Sequence, residues 1–476
     1  MKTSTKQVRL IICCFFLGSL IVVIQYTSSI NNYNYRRDVL ESRISFDMDQ
    51  KMVEYSEVVE KQLRSHKEGI HLTKLNLDAK SKKIAKLNES INKTEMKKCI
   101  FNIDRHDVTL DMHSRQTATK KVCSSPMTHV AFLKTHKTAS STIMSIMQRF
   151  GYFRNLTFVM PLKKIDQYRF NYIGAPGETI SYENIIPKRE EDDYDLLCNH
   201  VVYDEGAFQN TFPSDTFLFT IIREPLKQLI STVNYYGFTQ QGYFAKILNQ
   251  SLTHPMSDYL KSPWKFEPSN PHYSVTNNKM SIDLGLPVSQ IRNGSFIKSY
   301  FERLNTKFEL VLLQEYFDES LILFKRYTCW SFKDIIYISK NIWPLHQNLN
   351  LSADDIDNHR KWNVADYALY ETFYKIFWTK VLKEQEFFDE VYHFRRILQK
   401  VNIHCSNDKQ SKSLTIFDSK WSPGFILTPD DCIFLKINEK QFITVIHKRM
   451  MSRAYPNGNN PFEQTTTEDD LAHLFQ

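Results

Sequence analysis

Residues 130–151, VAFLKTHKTASSTIMSIMQRFG, set two lysines, a histidine and five hydroxyl side chains between an apolar strand-like run and a helix-patterned segment. Backbone N–H groups at the start of that helix, with Lys134, Thr135, His136, Lys137, Thr138, Ala139, Ser140 and Ser141, can surround a phosphate or sulfonate. The helix dipole adds to the attraction. No glycine lies between Val130 and Phe150, so the pattern G-x-x-x-x-G-K-[ST] is absent and an ordinary ATP or GTP site is disfavoured. An anionic nucleotide of another kind is the ligand this loop suits.

A second segment narrows the chemistry. The run TFLFTII (216–222) ends at Arg223, and Glu224 and Pro225 open a predicted helix that carries Lys227 and, two turns on, Ser231. The carboxyl end of a strand is where open α/β sheets bind ligands. A guanidinium and a hydroxyl there suit a second phosphate off the main chain of a nucleotide, because arginine can engage it through two parallel hydrogen bonds.

The pair FLKTHKTASST and IIREPLKQLIS resembles the 5′-phosphosulfate and 3′-phosphate loops of Golgi sulfotransferases that use 3′-phosphoadenosine 5′-phosphosulfate. With LQEYFDESLILFKR (313–326) and RKWNVADYALYETFYKIFW (360–378), the first loop is similar to the galactose 3-O-sulfotransferases, which include galactosylceramide sulfotransferase. The resemblance spans roughly 128–400. It implies an α/β fold of the P-loop-like sulfotransferase kind, with a mainly parallel sheet flanked by helices, and transfer of a sulfonate to the 3-hydroxyl of a terminal β-galactose on a glycolipid or glycoprotein. It also implies that Lys137, or alternatively Lys134, lies beside the 5′-phosphate and the leaving oxygen, with Thr138 and Ser140 on the phosphate and Arg223 and Ser231 on the 3′-phosphate.

Such a transfer is an in-line displacement in which the acceptor hydroxyl loses a proton, so catalysis comes from positioning and charge stabilisation. His136 is the first choice for the base: an imidazole titrates near luminal pH, and its place between two lysines would depress its pKa and keep it neutral. A simple contact from His136 to phosphate or sulfonate is the rival. His200 and Glu315 are alternative bases, with a satisfied core histidine and a structural carboxylate near Lys325 or Arg326 as their bland readings. Trp264, Trp362 and Trp378 offer faces for a sugar ring, although aromatics at helical spacing are far more often core. No metal is expected: EDDYD (191–195) and DDID (354–357) have D-x-D spacing but lie in polar stretches.

The elements that must position these residues follow from composition. With 476 residues, 42% hydrophobic, including 33 Phe and 24 Tyr, the chain can bury a large core. Its formal charge of +8 is uneven: residues 128–476 hold 39 basic and 39 acidic side chains, so the excess sits before them. A globular part without a global field argues against nucleic acid as a partner. Residues 10–26, LIICCFFLGSLIVVIQY, after Lys2, Lys6 and Arg9, read as a type II signal anchor behind a cytoplasmic tail of residues 1–9. That places the bulk in the Golgi lumen. Residues 27–127 read as a stem, either a solvated spacer or a coiled coil that makes a homodimer. The catalytic domain then occupies 128–400, with apolar runs at 130–133, 196–202, 216–222 and 308–313 as strands. A C-terminal extension fills 401–476, in which LTIF, CIFLKI and FITVI read as an appended β-hairpin before a loose tail.

Sequons at Asn88, Asn92, Asn155, Asn249, Asn293 and Asn350 fit a luminal location. So does an even luminal set of Cys99, Cys123, Cys198, Cys329, Cys405 and Cys432, of which Cys405 and Cys432 are paired on proximity alone. Two other classes remain: a Golgi glycosyltransferase holding a nucleotide sugar through D-x-D and a metal, and a non-catalytic luminal carbohydrate-binding protein. Only an enzyme working on a bis-phosphorylated nucleotide needs Lys137 and Arg223 in one pocket.

Overall fold

The computed structural model describes residues 123–162, 171–238, 254–338, 349, 351–406 and 412–457. The anchor reading of 10–26, nearly all of the stem, Cys99 and the sequons at Asn88, Asn92, Asn249 and Asn350 lie outside the described residues. Among the described residues no helix is long and apolar enough to cross a membrane.

In chain order the elements are β1 (Val130–Leu133), α1 (Ser140–Phe153), β2 (Leu196–Leu197), α2 (Glu205–Thr211), β3 (Phe217–Ile222), α3 (Pro225–Phe238), α4 (Pro255–Lys261), α5 (Lys279–Asp283), α6 (Gly294–Lys307) and β4 (Leu310–Leu313). There follow α7 (Phe317–Thr328), α8 (Phe332–Ile335), α9 (Ala353–Trp362), α10 (Val364–Leu382), α11 (Phe387–Cys405), β5 (Leu414–Ile416), β6 (Phe425–Leu427), α12 (Pro429–Lys436) and α13 (Glu439–Ala454). Strands β1 to β4 form one parallel sheet in the order β2-β1-β3-β4. Every residue of these four strands is buried, which is why they read as unbroken apolar runs rather than alternating ones. The 196–202 run is a strand only at its first two residues.

Chain order fixes where a ligand can bind. From β1 the chain moves to one side to make β2, then crosses back to the other side of β1 to make β3. The order reverses between β1 and β3, and it is past the carboxyl ends of strands at such a switch point that open α/β sheets form a ligand cleft. Lys134 follows β1 and Arg223 follows β3, so both chemically informative loops start at that cleft.

The C-terminal region departs from the hairpin expectation. LTIF does supply an antiparallel strand, with Leu414 to Ile416 opposite Leu427 to Phe425, but CIFLKI lies in α12 and its C-cap, and FITVI in α13. Local signals outweigh β propensity here. Thr428 and Asp431 make a capping box around Pro429 at the first helical turn, and the Asn438 side chain accepts from Gln441 N. Phe442, Ile443, Ile446 and Met450 then fall on one helical face, and all are buried in the same core as the sheet. Helix α13 packs on α1.

Two disulfides fasten the edges: Cys405 to Cys432, as expected from proximity, and Cys123 to Cys329. Cys198 is buried and free, so the described cysteines do not form a fully paired set.

Candidate functional site

The loop after β1 is shaped by its backbone. Lys137 and Ala139 both have φ of 62°, in the left-handed region, with Thr138 between them outside it. Alternation of this kind turns successive N–H groups inward into an anion-binding nest, and non-glycine residues hold it only where the surroundings impose it. Those surroundings are visible. The Thr135 hydroxyl donates to the Ile221 carbonyl of β3, Thr220 Oγ1 donates to Leu133 O at 2.8 Å, and Ser140 Oγ donates to Thr135 O at 2.7 Å. Thr138 Oγ1 lies 2.8 Å from Thr135 Oγ1, so the Thr138 and Ser140 hydroxyls close the loop on itself, and the His136 N–H is taken by Asp283 at 3.0 Å.

The second segment meets the first. Arg223 Nη1 donates to the Lys137 carbonyl at 3.2 Å. The Glu224 carboxylate accepts from Leu226 N at 3.2 Å and Lys227 N at 2.8 Å, capping α3, on which Ser231 lies half-buried. Lys137 Nζ sits 3.5 Å above the centre of the Tyr235 ring, one turn beyond Ser231. Burial, with Lys134 and Arg223 close by, pushes the Lys137 ammonium down to about 7, against which Glu439 acts weakly.

Lys134 points the other way. Its side chain is 2% exposed, and Nζ lies 3.4 Å from Ser140 Oγ, Ser141 Oγ and Glu439 Oε1. Glu439 begins α13 and also accepts from Ser141 Oγ and Asn171 Nδ2, each at 2.5 Å. Burial alone would raise this carboxyl, yet Lys134 and those two hydrogen bonds hold it below its ordinary range.

Behind the loop lies a buried polar cluster. His136 Nδ1 is 2.6 Å from Asp283 Oδ2, its Nε2 is 2.5 Å from the Tyr172 hydroxyl, and its ring stacks on His200 at 4.1 Å. Lys279 Nζ lies 3.1 Å from the other Asp283 oxygen. Burial is the chief cause that lowers His136 to about 4; Asp283 opposes it, while Lys279 and Lys134 assist. The lysines acting on His136 are therefore Lys279 and Lys134, not the expected flanking pair of Lys134 and Lys137. His200 donates from Nδ1 to Lys134 O at 2.9 Å, and burial beside His136 and Lys134 keeps it neutral. Helix α5, which delivers Asp283, is clasped by Asp366: its carboxylate accepts from Met280 N, Ser281 N and Ser281 Oγ.

Glu315 does not contact Lys325 or Arg326 as its bland reading expected. It accepts from Glu224 N at 2.9 Å and from the Tyr370 hydroxyl at 3.2 Å, while Lys325 and Arg326 both pair with Glu390. Trp378 packs against Tyr316, Trp362 lies under Arg292, and Trp264 is exposed. In the D-x-D stretches Asp192 pairs with Arg189, Asp195 accepts from Thr157 N, Asp355 caps α9 and Asp357 pairs with Lys361. Among the described residues no group of three or more His, Cys, Asp or Glu could hold a metal ion. Exposed Asn155 and Asn293 present their sequons at the surface, Asn293 also capping α6.

A family model described as galactose-3-O-sulfotransferase matches residues 97–424. The chain belongs to the galactose-3-O-sulfotransferase family. It is 29% identical over 310 residues to mouse galactose-3-O-sulfotransferase 2, covering 63% of this chain and 75% of that protein. Human galactosylceramide sulfotransferase is 30% identical over 259 residues, covering 54% of this chain and 58% of that one. Human galactose-3-O-sulfotransferase 2 is 30% identical over 264 residues, with coverages of 54% and 62%. The chain thus spans about three fifths to three quarters of the length of these relatives. Membership identifies an enzyme of the sulfotransferase class, and the loops from Lys134 to Ser141 and around Arg223 fall within the matched stretch. Glu439 falls outside it.

The sequence pointed to the loop residues and gave no pointer to Tyr172, Lys279 or Glu439, which pack around them. Asp283 carried a weak signal, a lone acid inside the apolar run MSIDLGL. Glu439 carried none, since acids are common in the first turn of a helix.

Proposed function

We propose that the enzyme transfers a sulfonate from 3′-phosphoadenosine 5′-phosphosulfate to the 3-hydroxyl of a terminal β-galactose. The observation that supports this reading is the meeting of Arg223 with the Lys137 carbonyl at 3.2 Å, which brings together two cationic segments 86 residues apart in the chain. A nucleotide phosphorylated at both ends needs cationic groups at both ends of its site, and a mononucleotide or neutral sugar does not. The nest at 135–141 and Lys137 would hold the phosphosulfate end, and Arg223 with Ser231 the 3′-phosphate. The donor supplies an activated sulfonate whose departure leaves charge on a phosphate oxygen. Lys137 answers that charge, being a mobile ammonium on a rigid loop. The two disulfides and the exposed sequons support a luminal, Golgi-anchored setting with residues 10–26 as the anchor.

The test is to incubate the detergent-solubilised full chain with radiolabelled donor and with galactosylceramide, lactosylceramide, N-acetyllactosamine and core-1 disaccharide, then map the label. Sulfate on the galactose 3-position supports the reading, and activity that survives a chelator separates it from a metal-dependent glycosyltransferase. No labelled galactoside, together with no binding of 3′,5′-ADP, would overturn it.

A further inference from the structure

His136 cannot meet a substrate with its ring as it stands. Its side chain is 4% exposed, Nδ1 is on Asp283, one face is on His200 and Nε2 is on Tyr172. The roles within this chain of contacts are fixed by charge. Burial would raise the Asp283 carboxyl, but His136 and Lys279 hold it below its usual range, so it is an ionised acceptor. Nδ1 therefore carries the imidazole proton and donates to Asp283, and the backbone N–H of His136 donates to the same oxygen at 3.0 Å. Nε2 is left with a lone pair, into which the Tyr172 hydroxyl donates. Tyr172 is less enclosed than His136 and stacks on His200 at 4.9 Å. It faces Tyr235 and Tyr236 of α3 and Glu439 of α13 as well as Asp283.

We propose that Tyr172 is a catalytic residue: its hydroxyl takes the proton of the acceptor hydroxyl and passes its own to His136 Nε2, with Asp283 as the positioning residue for the imidazole. This rests on the sulfotransferase reading above. As the acceptor oxygen forms its bond to sulfur, the bond from sulfur to the bridging phosphate oxygen breaks, and that electron pair leaves with 3′,5′-ADP. The acceptor proton moves to the phenol oxygen, the phenol proton moves to Nε2, and the resulting imidazolium lies against the Asp283 carboxylate until it loses its proton to solvent. Burial holds the Tyr172 phenol well above its ordinary pKa, so it is neutral before and after the step and serves as a conduit rather than a store. Direct action by His136 would first have to break its 2.5 Å hydrogen bond to Tyr172.

The decisive variant is Tyr172→Phe in the full-length enzyme, which keeps the ring on His200 and removes only the hydroxyl. Its kcat should fall by about 10²-fold or more, the usual size of a lost proton-transfer group, with affinity for 3′,5′-ADP unchanged. Adding His136→Ala to it should lower kcat little further, because the two act in one relay. A Tyr172→Phe enzyme with wild-type kcat overturns the relay and leaves the sulfotransferase reading intact. A wild-type enzyme that labels no galactoside overturns that reading, and the relay with it. A second measurement needs no variant. Single-turnover rates of the wild type in mixtures of H2O and D2O should bow below the straight line between the pure solvents, since two protons move together, and a straight line would overturn the proposal.

Discussion

Lys137 combines a left-handed backbone, a ring beneath its ammonium and two cationic neighbours, so its charge in the unliganded protein is easily lost. With its pKa pushed down to about 7, the charged form predominates below that pH and the neutral form above it. An incoming phosphosulfate would favour the charged form and pull the pKa back up. Donor kcat/KM, which reports the free enzyme, should therefore decline as pH rises through about 7, whereas kcat, which reports the donor complex, should hold to higher pH. Pre-steady-state donor binding across pH checks this, and alkaline limbs that coincide in both parameters would contradict it. Lys137→Ala should lower kcat by roughly 10²- to 10³-fold, the cost of one lost charge-stabilising group, without changing Tm. Arg223→Ala acts on binding instead. Losing a charge-assisted hydrogen bond of about 1.5–3 kcal/mol should weaken 3′,5′-ADP by roughly tenfold to a hundredfold by calorimetry. At this scale the sequence was legible wherever one short segment carries the chemistry: residue types from Lys134 to Ser141 announce an anion loop by themselves. Asp283 and Tyr172 were not, because the contacts that bring them to the loop run to His136, 147 and 36 residues away in the chain.

Helix α13 shows what one element adds to a loop it does not belong to. It buries Phe442, Ile443, Ile446 and Met450 in the main core and, at its first residue, puts a carboxylate beside Lys134 and Ser141. A negative charge beside the loop after β1 would oppose an anionic donor held there. Glu439→Gln keeps an acceptor oxygen for Asn171, can donate from Nε2 to the Ser141 hydroxyl once that hydroxyl turns, removes the charge and leaves Lys134 free to attract phosphate. Affinity for 3′,5′-ADP should rise by roughly tenfold, the scale of a like-charge repulsion across about 12 Å at an effective dielectric of about 20. Titration calorimetry at two salt concentrations tests it, and weaker binding by the variant would mean that Glu439 serves the donor by aligning Lys134. The same helix explains why the C-terminal region was misread. FITVI is rich in β-branched residues, and propensity is a weak prior that tertiary packing overrides. The better local signal was the Thr428 and Asp431 pair around Pro429, a helix start that stands in the sequence in plain view.

Across the whole molecule the Cys123 to Cys329 disulfide joins the chain just before β1 to the end of α7, across 206 residues that include the four strands of the parallel sheet and the loops after β1 and β3. The native join does not depend on it alone. Met127 N donates to Thr328 O at 2.9 Å, and Trp330 Nε1 donates to Met127 O at 2.9 Å, so the same edge is held by backbone and ring as well. The disulfide should therefore act mainly on the unfolded chain, where closing so long a loop removes much of its freedom. Cys123→Ala with Cys329→Ala is expected to lower the unfolding free energy by about 2–4 kcal/mol, seen as a lower denaturant midpoint and Tm. Affinity for 3′,5′-ADP at 25 °C should stay at the wild-type value, because the cleft between β1 and β3 is built by strand register and by the Thr135 and Thr220 hydrogen bonds, none of which the bridge touches. A double variant that loses donor binding while still folded would show that the bridge shapes the ligand site in the native state, so that what holds the domain and what holds the ligand would not be separate.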